Sequence, residues 1–282
     1  MNKMKLLTDN FVFLEGPRWH NDKLYVSDMW GKLVYSIDMA GHANEVVSVA
    51  NRPSGIGFMS EGTMLISSMA DKKVLAVDSM HAVSTFCELD SFVSGDINDL
   101  VVGPNDTIYV GNFGYDLFGG AKEAPGNICL ITNKGVASVV ADELAFPNGM
   151  VVNKTKDTLI CAETFGHRLT AFDINADGTL SNRRVWADLG DNTPDGICLD
   201  DEGAIWVASF MTEKFLRVFE GGKIQKEFSA EGKKAVACNL GGHDKKTLFC
   251  LTYDGELDDI AKGLMKAEIY TVRVEVGGAG SP

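Results

Sequence analysis

Asn148-Gly149-Met150-Val151-Val152, a polar turn through Lys154-Thr155-Lys156-Asp157, then Thr158-Leu159-Ile160-Cys161: this stretch decides the fold, because it recurs. Toward the N-terminus it returns as Asn98-Asp99-Leu100-Val101-Val102 with Thr107-Ile108-Tyr109-Val110. It returns again as Ser54-Gly55-Ile56-Gly57-Phe58 with Thr63-Met64-Leu65-Ile66, and as Glu15-Gly16-Pro17-Arg18-Trp19 with Lys23-Leu24-Tyr25-Val26-Ser27. Toward the C-terminus it returns as Asp195-Gly196-Ile197-Cys198-Leu199 with Ala204-Ile205-Trp206-Val207. A weaker copy follows, Ala237-Cys238-Asn239-Leu240 with Thr247-Leu248-Phe249-Cys250. The first residues of successive copies stand 39, 44, 50, 47 and 42 residues apart. A period of about 40–50 residues holding several short strands is the signature of a β-propeller blade.

Third runs follow the pairs, such as Leu33-Val34-Tyr35-Ser36-Ile37 and Leu169-Thr170-Ala171-Phe172. Fourth runs follow those, such as Glu45-Val46-Val47-Ser48 and Arg184-Val185-Trp186-Ala187. The runs are rich in Val, Ile, Leu and aromatics, with Gly or Asp at the turns. The reading is all-β: one domain over residues 1–282, a six-bladed β-propeller with four antiparallel strands per blade. An open sheet edge invites aggregation, so the ring must close. Glu268 to Val274 reads as the third strand of the last blade, and Met4-Lys5-Leu6-Leu7 as its outermost strand. N- and C-terminal strands then pair to close the ring. The tail from Gly277 to Pro282 is expected to be loose.

The formal charge of −13 argues against nucleic acid or an anionic membrane surface as partner. A small ligand or a cation suits it. No apolar run approaches a transmembrane length. MNKMKLLTDN lacks an apolar signal-peptide core, so a cytoplasmic protein is expected. The six cysteines show no CxxC spacing, and most lie in apolar runs, so they read as buried free thiols. A monomer or weak homo-oligomer is expected.

The first strand of each propeller blade lines the central channel. Glu15, Ser54, Asn98, Asn148, Asp195 and Ala237 head those strands and so face one mouth. The turns after the second strands return to the same mouth. They bring Trp30, Phe113, Tyr115, Phe165, His167 and Phe210 there as candidate substrate-binding residues. Asn-Gly and Asp-Gly are also ordinary turn dipeptides. Turn chemistry does not favour Glu15, however, and two carboxylates crowded with two amides repel and desolvate one another without a cation. Glu15, Asn98, Asn148 and Asp195 are therefore candidate ligands of one divalent cation. All-oxygen donors suit a hard ion, Ca²⁺ first, with Mg²⁺, Mn²⁺ and Zn²⁺ as alternatives. Ser54 has no GxSxG frame and reads as a supporting hydroxyl. Glu163 and Arg168 read as a structural ion pair. Asp173 to Gly178 mimics the start of an EF-hand loop, but its twelfth position is Arg184, so it reads as a hairpin turn. The longer segment from Tyr115 to Asn127 is expected to overhang the mouth.

Leu14-Glu15-Gly16-Pro17-Arg18-Trp19, Ile97-Asn98-Asp99, Phe146-Pro147-Asn148-Gly149-Met150 and Thr193-Pro194-Asp195-Gly196-Ile197 together resemble the SMP-30/gluconolactonase/luciferin-regenerating family, over roughly residues 10–255. The resemblance implies a six-bladed propeller with one catalytic divalent metal. It implies Glu15, Asn148 and Asp195 as ligands and Asn98 as a substrate-side residue that ligates the metal in related phosphotriesterases. Sugar-lactone members often carry an Arg two residues before that Asn. Here the position is Asp96, which cannot donate to sugar oxygens in the same way. With the aromatic mouth, this favours a less polar lactone or ester.

The expected activity is hydrolysis of a lactone or related ester. The metal polarises the carbonyl, Asp195 serves as general base for water, and Glu15 acts as a ligand. A variant uses Asp195 as nucleophile. A phosphotriesterase on the same site and a non-catalytic, metal-stabilised binding propeller are the rival readings.

Overall fold

The computed structural model describes residues 3–280. Its architecture follows the repeat: six four-stranded antiparallel sheets, each with its strands in sequential order except the last. The innermost strands are β2 (Leu14–His20), β6 (Pro53–Phe58), β10 (Ile97–Val102), β14 (Pro147–Val152), β18 (Pro194–Leu199) and β22 (Lys234–Gly241). The second strands are β3 (Lys23–Asp28), β7 (Met64–Ser68), β11 (Ile108–Asn112), β15 (Thr158–Glu163), β19 (Ile205–Ser209) and β23 (Thr247–Tyr253). One short α-helix, α1 (Leu257–Ile260), and one turn of 3-10 helix at Pro104–Asp106 are present among the described residues. No helix there is long and apolar enough to cross a membrane.

Burial falls outward across each blade. β14 and β18 are buried along their whole length, whereas the outer strands β5 (Ala43–Ser48) and β17 (Leu180–Asp188) are largely exposed. The apolar runs of the inner strands reflect this, since a strand covered on both faces has no polar side to show. Neighbouring blades share their cores. Val151, Ile160 and Leu169 of the fourth blade pack with Ile197, Val207 and Leu216 of the fifth. Each such side chain contributes about 1.5–3 kcal/mol when fully buried. All six cysteines are free and buried.

The closing blade is built as expected. Its strand order is β1-β24-β23-β22, with β24 (Ala267–Arg273) third and β1 (Lys5–Phe11) outermost. The tail departs from expectation. Gly278 N–H donates to the Lys245 carbonyl, Ala279 N–H to that of Leu199, and the Gly277 carbonyl accepts from Asp201 N–H. Residues 277–279 therefore pin the closing blade to the fifth; Ser281 and Pro282 lie outside the described residues. Gly and Ala there let the backbone itself make the contacts, which composition alone could not reveal.

One device recurs at the channel mouth. In the second to fifth blades, two residues of the inner strand oppose one of the second strand: Ser54 and Gly55, Asn98 and Asp99, Asn148 and Gly149, Asp195 and Gly196. In the first blade the same irregularity lies between Glu15 and Arg18. Such bulges re-aim side chains and break the ladder locally. The glycines answer a second need. A Cβ at Gly149 would stand 2.7 Å from the Asp195 carbonyl oxygen, and one at Gly196 would stand 2.4 Å from Ala237 Cβ. The dipeptides Asn148-Gly149 and Asp195-Gly196 are thus not turns. They are bulged strand, with glycine where adjacent inner strands meet.

The ring depends on β1 to cover the edge of β24, which it pairs at four positions. At about 1 kcal/mol per ladder hydrogen bond and 2–4 °C per kcal/mol, deleting residues 1–9 should lower Tm by on the order of 10 °C. Light scattering should rise on heating. Calorimetry and scattering on the truncated chain check this.

Candidate active site

The mouth is built from two rings of residues at fixed offsets in the repeat. The inner ring is the bulged column itself. Glu15, Asn98, Asn148 and Asp195 all line one cavity of about 150 Å³. All four are at least nine-tenths buried. The second ring lies two residues earlier in each blade: Phe13, Arg52, Asp96, Phe146 and Thr193. Each uses its carbonyl to accept the N–H of the residue just after the second strand, at 2.8–3.1 Å: Met29, Met69, Phe113, Thr164 and Phe210 respectively. This repeated backbone bond folds the post-strand turns over the mouth.

The amides are oriented by neighbours. Asn148 Nδ2 donates to Thr164 Oγ1 at 3.2 Å, and Thr164 Oγ1 donates to the Pro194 carbonyl at 2.7 Å. With its nitrogen engaged, Asn148 has Oδ1 left for the channel. Asn98 Nδ2 reaches the Pro147 carbonyl at 3.4 Å, and Ser54 Oγ donates to Asn98 Oδ1 at 3.2 Å. Ser54 is thus a support for Asn98, as its lack of a nucleophile frame suggests.

The carboxylates are strained electrostatically. Burial, then the nearby charges of Asp195 and Asp99, push the Glu15 carboxyl well above its ordinary range. Burial also pushes Asp195 well up, against a hydrogen bond from Asn148 that lowers it. Asp195 Oδ1 is sealed from solvent without a hydrogen-bond partner. The nearest cation, Arg18, offsets the shift of Glu15 only in part, because it is committed to Asp99. Arg18 Nη2 donates to Asp99 Oδ1 at 2.9 Å and to the Leu100 carbonyl at 2.7 Å, and both side chains of that ion pair are buried. The pair ties the first blade to the third.

Glu163 organises the wall beside Asn148. Its carboxylate is fully buried and accepts Ala145 N–H at 2.8 Å, Arg168 Nε and Nη2 at 2.9 Å each, and the Thr170 hydroxyl. The ion pair with Arg168 matches expectation and joins the two strands that flank Thr164, while the bond from Ala145 holds the residue before Phe146. These bonds outweigh burial and hold the Glu163 carboxyl below its ordinary range.

Of the substrate-binding candidates, Asn98, Phe113, Phe165 and Phe210 line the cavity. Trp30, Tyr115 and His167 stand outside its lining. Trp30 packs edge-on to Phe118, Tyr115 against Phe146, and His167 Nδ1 lies 3.1 Å from the Asn192 carbonyl oxygen. The overhanging segment contributes Leu117 and Phe118 to the wall, and α1 contributes Ile260. Phe13, Phe146, Thr164 and Thr193 also line the cavity, although the sequence assigned none of them a role there. A signal for three of them was present: they stand two residues before a column residue. Among the described residues no group of three or more His, Cys, Asp or Glu side chains forms a metal cage. Larger depressions, such as one of about 460 Å³ around Asn153, Arg184 and Glu220, lie among the turns of the opposite face.

A six-bladed propeller with carboxylates and amides gathered at one channel mouth defines a class, and sequence comparison places the chain within it. The profile described as "SMP-30/Gluconolactonase/LRE-like region" matches residues 13–254, and the chain belongs to this family. Pentonolactonase XacC of Haloferax volcanii is 22% identical over 279 residues, covering 95% of this chain and 92% of its own. The luciferin-regenerating enzyme structure superposes with a TM-score of 0.86 at 16% identity, over 99% of this chain and 97% of that one. A calcium-binding protein, regucalcin, from Agrobacterium tumefaciens str. C58 gives a TM-score of 0.80 at 20% identity, over 97% and 94%. At these identities the structural matches speak for the fold.

The Glu163 network carries a testable consequence for acid stability. Its depressed pKa means its stabilisation is full above the ordinary Glu value of 4.5 and fades as pH falls through the lower folded value. Glu163→Gln should cost about 2 kcal/mol at pH 7, because the buried carboxylate's charged contacts with half-buried Arg168 are lost. The gap to the parent should shrink as pH falls below about 4.5. Urea unfolding at both pH values measures it.

Proposed function

We propose that the protein is a divalent-metal-dependent lactonase that hydrolyses a lactone or related ester at the channel mouth. The observation that carries this reading is Asp195 Oδ1, buried without a hydrogen-bond partner and flanked by a second buried carboxylate, Glu15. Two acids in that state require a positive partner, and Arg18 is committed to Asp99. Glu15, Asn98, Asn148 and Asp195 would hold the cation. Two carboxylates and two amides are a hard-oxygen set, which suits Ca²⁺ first. A calcium-binding protein among the structural relatives agrees with this choice, and a pentonolactonase among the sequence relatives agrees with the reaction. When bound, the cation supplies Lewis-acid polarisation of the substrate carbonyl.

The chain's own residues perform the remaining tasks. Asp195 is the general base and takes a proton from the attacking water on a carboxylate oxygen. The water oxygen bonds to the carbonyl carbon. The ring C–O bond then breaks, and the ring oxygen leaves with the proton that Asp195 received. With the cation bound, Glu15 would be kept ionised as one of its ligands. Thr164 keeps the Asn148 amide turned so that its oxygen faces the channel. The aromatic walls keep bulk water out, which strengthens every charge interaction within.

Asp195→Asn keeps an oxygen donor but removes the base. Turnover should fall by roughly 10²–10⁴-fold while calorimetry still detects Ca²⁺ binding. Undiminished turnover with metal retained would defeat the base assignment. Glu15→Gln should instead weaken Ca²⁺ binding by more than about tenfold, since one of two anionic ligands is lost. EDTA should abolish hydrolysis of a lactone panel, and added Ca²⁺ should restore it.

A further inference from the structure

The second ring contains one charged pair, and its arrangement bears on what the cavity accepts. Arg52 and Asp96 come from adjacent blades at the same offset in the repeat. Arg52 Nη2 donates to Asp96 Oδ2 at 2.6 Å, with both side chains 14% exposed. Arg52 sits at φ +65°, a left-handed conformation that costs a non-glycine residue energy. Its guanidinium carbon lies 4.5 Å from the Phe118 ring centroid and 5.1 Å from that of Trp30. Phe118 meets Trp30 edge-on at 5.4 Å. Nη1 is sealed from solvent with no partner, a desolvation cost that the two cation–π contacts offset. The guanidinium is therefore spent on Asp96 and on the rings, and Phe118 stands on the cavity wall.

The rest of the wall agrees. Ten of the sixteen lining residues are apolar, and no Arg, Lys or His is among them. Several polar donors are engaged within the wall: Asn148 with Thr164, Thr164 with the Pro194 carbonyl, Asn98 with the Pro147 carbonyl. The six polar residues come from the column and its immediate neighbours, so the hydroxyls of a polyhydroxylated ring away from that centre would be buried against phenyl faces, which a site disfavours. An apolar cavity of about 150 Å³ holds a benzene-sized ring. The overhanging segment is anchored at its base. Asn112 Nδ2 donates to Asn127 Oδ1 at 2.7 Å, and Asn112 Oδ1 accepts from Gly114 N–H at 2.9 Å.

We propose that the substrates are lactones carrying an apolar alkyl or aryl substituent, and that Arg52, paired with Asp96, is a positioning residue that sets this preference by holding Phe118 as a wall of the cavity. The proposal rests on the lactonase reading for its chemistry, but the cavity's preference can be read without turnover. Two measurements separate them. The first is kcat/KM for δ-lactones of one ring size bearing an alkyl chain, a fused aryl ring, or several hydroxyls. The second is calorimetric binding of the matching lactams, which resist hydrolysis. The apolar members should be favoured by at least about tenfold in both. Phe118→Ala should narrow the preference by about tenfold, and Arg52→Met/Asp96→Asn, which removes both charges together, should narrow it in the same direction with Tm retained. If no lactone turns over but the apolar lactam binds more tightly, the lactonase reading falls and the assigned preference stands. Equal binding, no binding, or tighter binding of the hydroxylated lactam overturns the proposal. Equal losses for both substrate classes in the double variant overturn the role of Arg52.

Discussion

The inner strands of adjacent blades converge until no Cβ fits between them, and the rest of the molecule answers to that convergence. At Gly149 and Gly196 any larger residue would collide with the next strand. The bulges beside these glycines release the column residues from the ladder and turn them toward the axis. Backbone packing therefore concentrates carboxylates and amides at one place, where solvation is poorest. A packing constraint becomes an electrostatic one.

That electrostatic constraint divides the buried charges of the mouth into two kinds. Asp99 has Arg18, and Glu163 has Arg168 with two further donors. Glu15 and Asp195 have no such partner, and burial drives both toward protonation. The acids paired with arginine sit away from the axis, while the two whose carboxyls burial pushes up line one cavity. The proposed chemistry draws on this asymmetry, which a count of acidic residues would not reveal.

The repeat made the fold legible because each copy carries its own strand pattern and turn. Even the closing blade could be read, since a ring with an open edge would expose β24. The column was legible for the same reason: four oxygen donors recur at one offset. Legibility ended where contacts cross blades without a periodic signature. Arg18 finds Asp99 two blades away, and Arg52 finds Asp96 in the next. Nothing local to either arginine announces its partner. The tail was misjudged because glycines that look loose make backbone bonds to Lys245 and Asp201. Trp30, Tyr115 and His167 were placed by their turns, but a turn fixes the backbone and leaves side-chain direction to packing.

The two rings answer different physical demands. The inner ring must satisfy buried charge, so a change there unbalances the whole centre. The second ring is fixed through its carbonyl, which any residue supplies, so its side chains are free to vary. This chain places Phe13, Phe146 and Thr193 there, with Arg52 and Asp96 neutralising each other. Swapping the charge of one member of that pair would leave the other unmatched in a half-closed site, which costs far more than changing both. The pair therefore behaves as a unit, and a guanidinium two residues before Asn98 would have to displace Arg52 to point into the cavity. Asp96 hydrogen-bonds a neighbouring arginine whose guanidinium lies against Phe118.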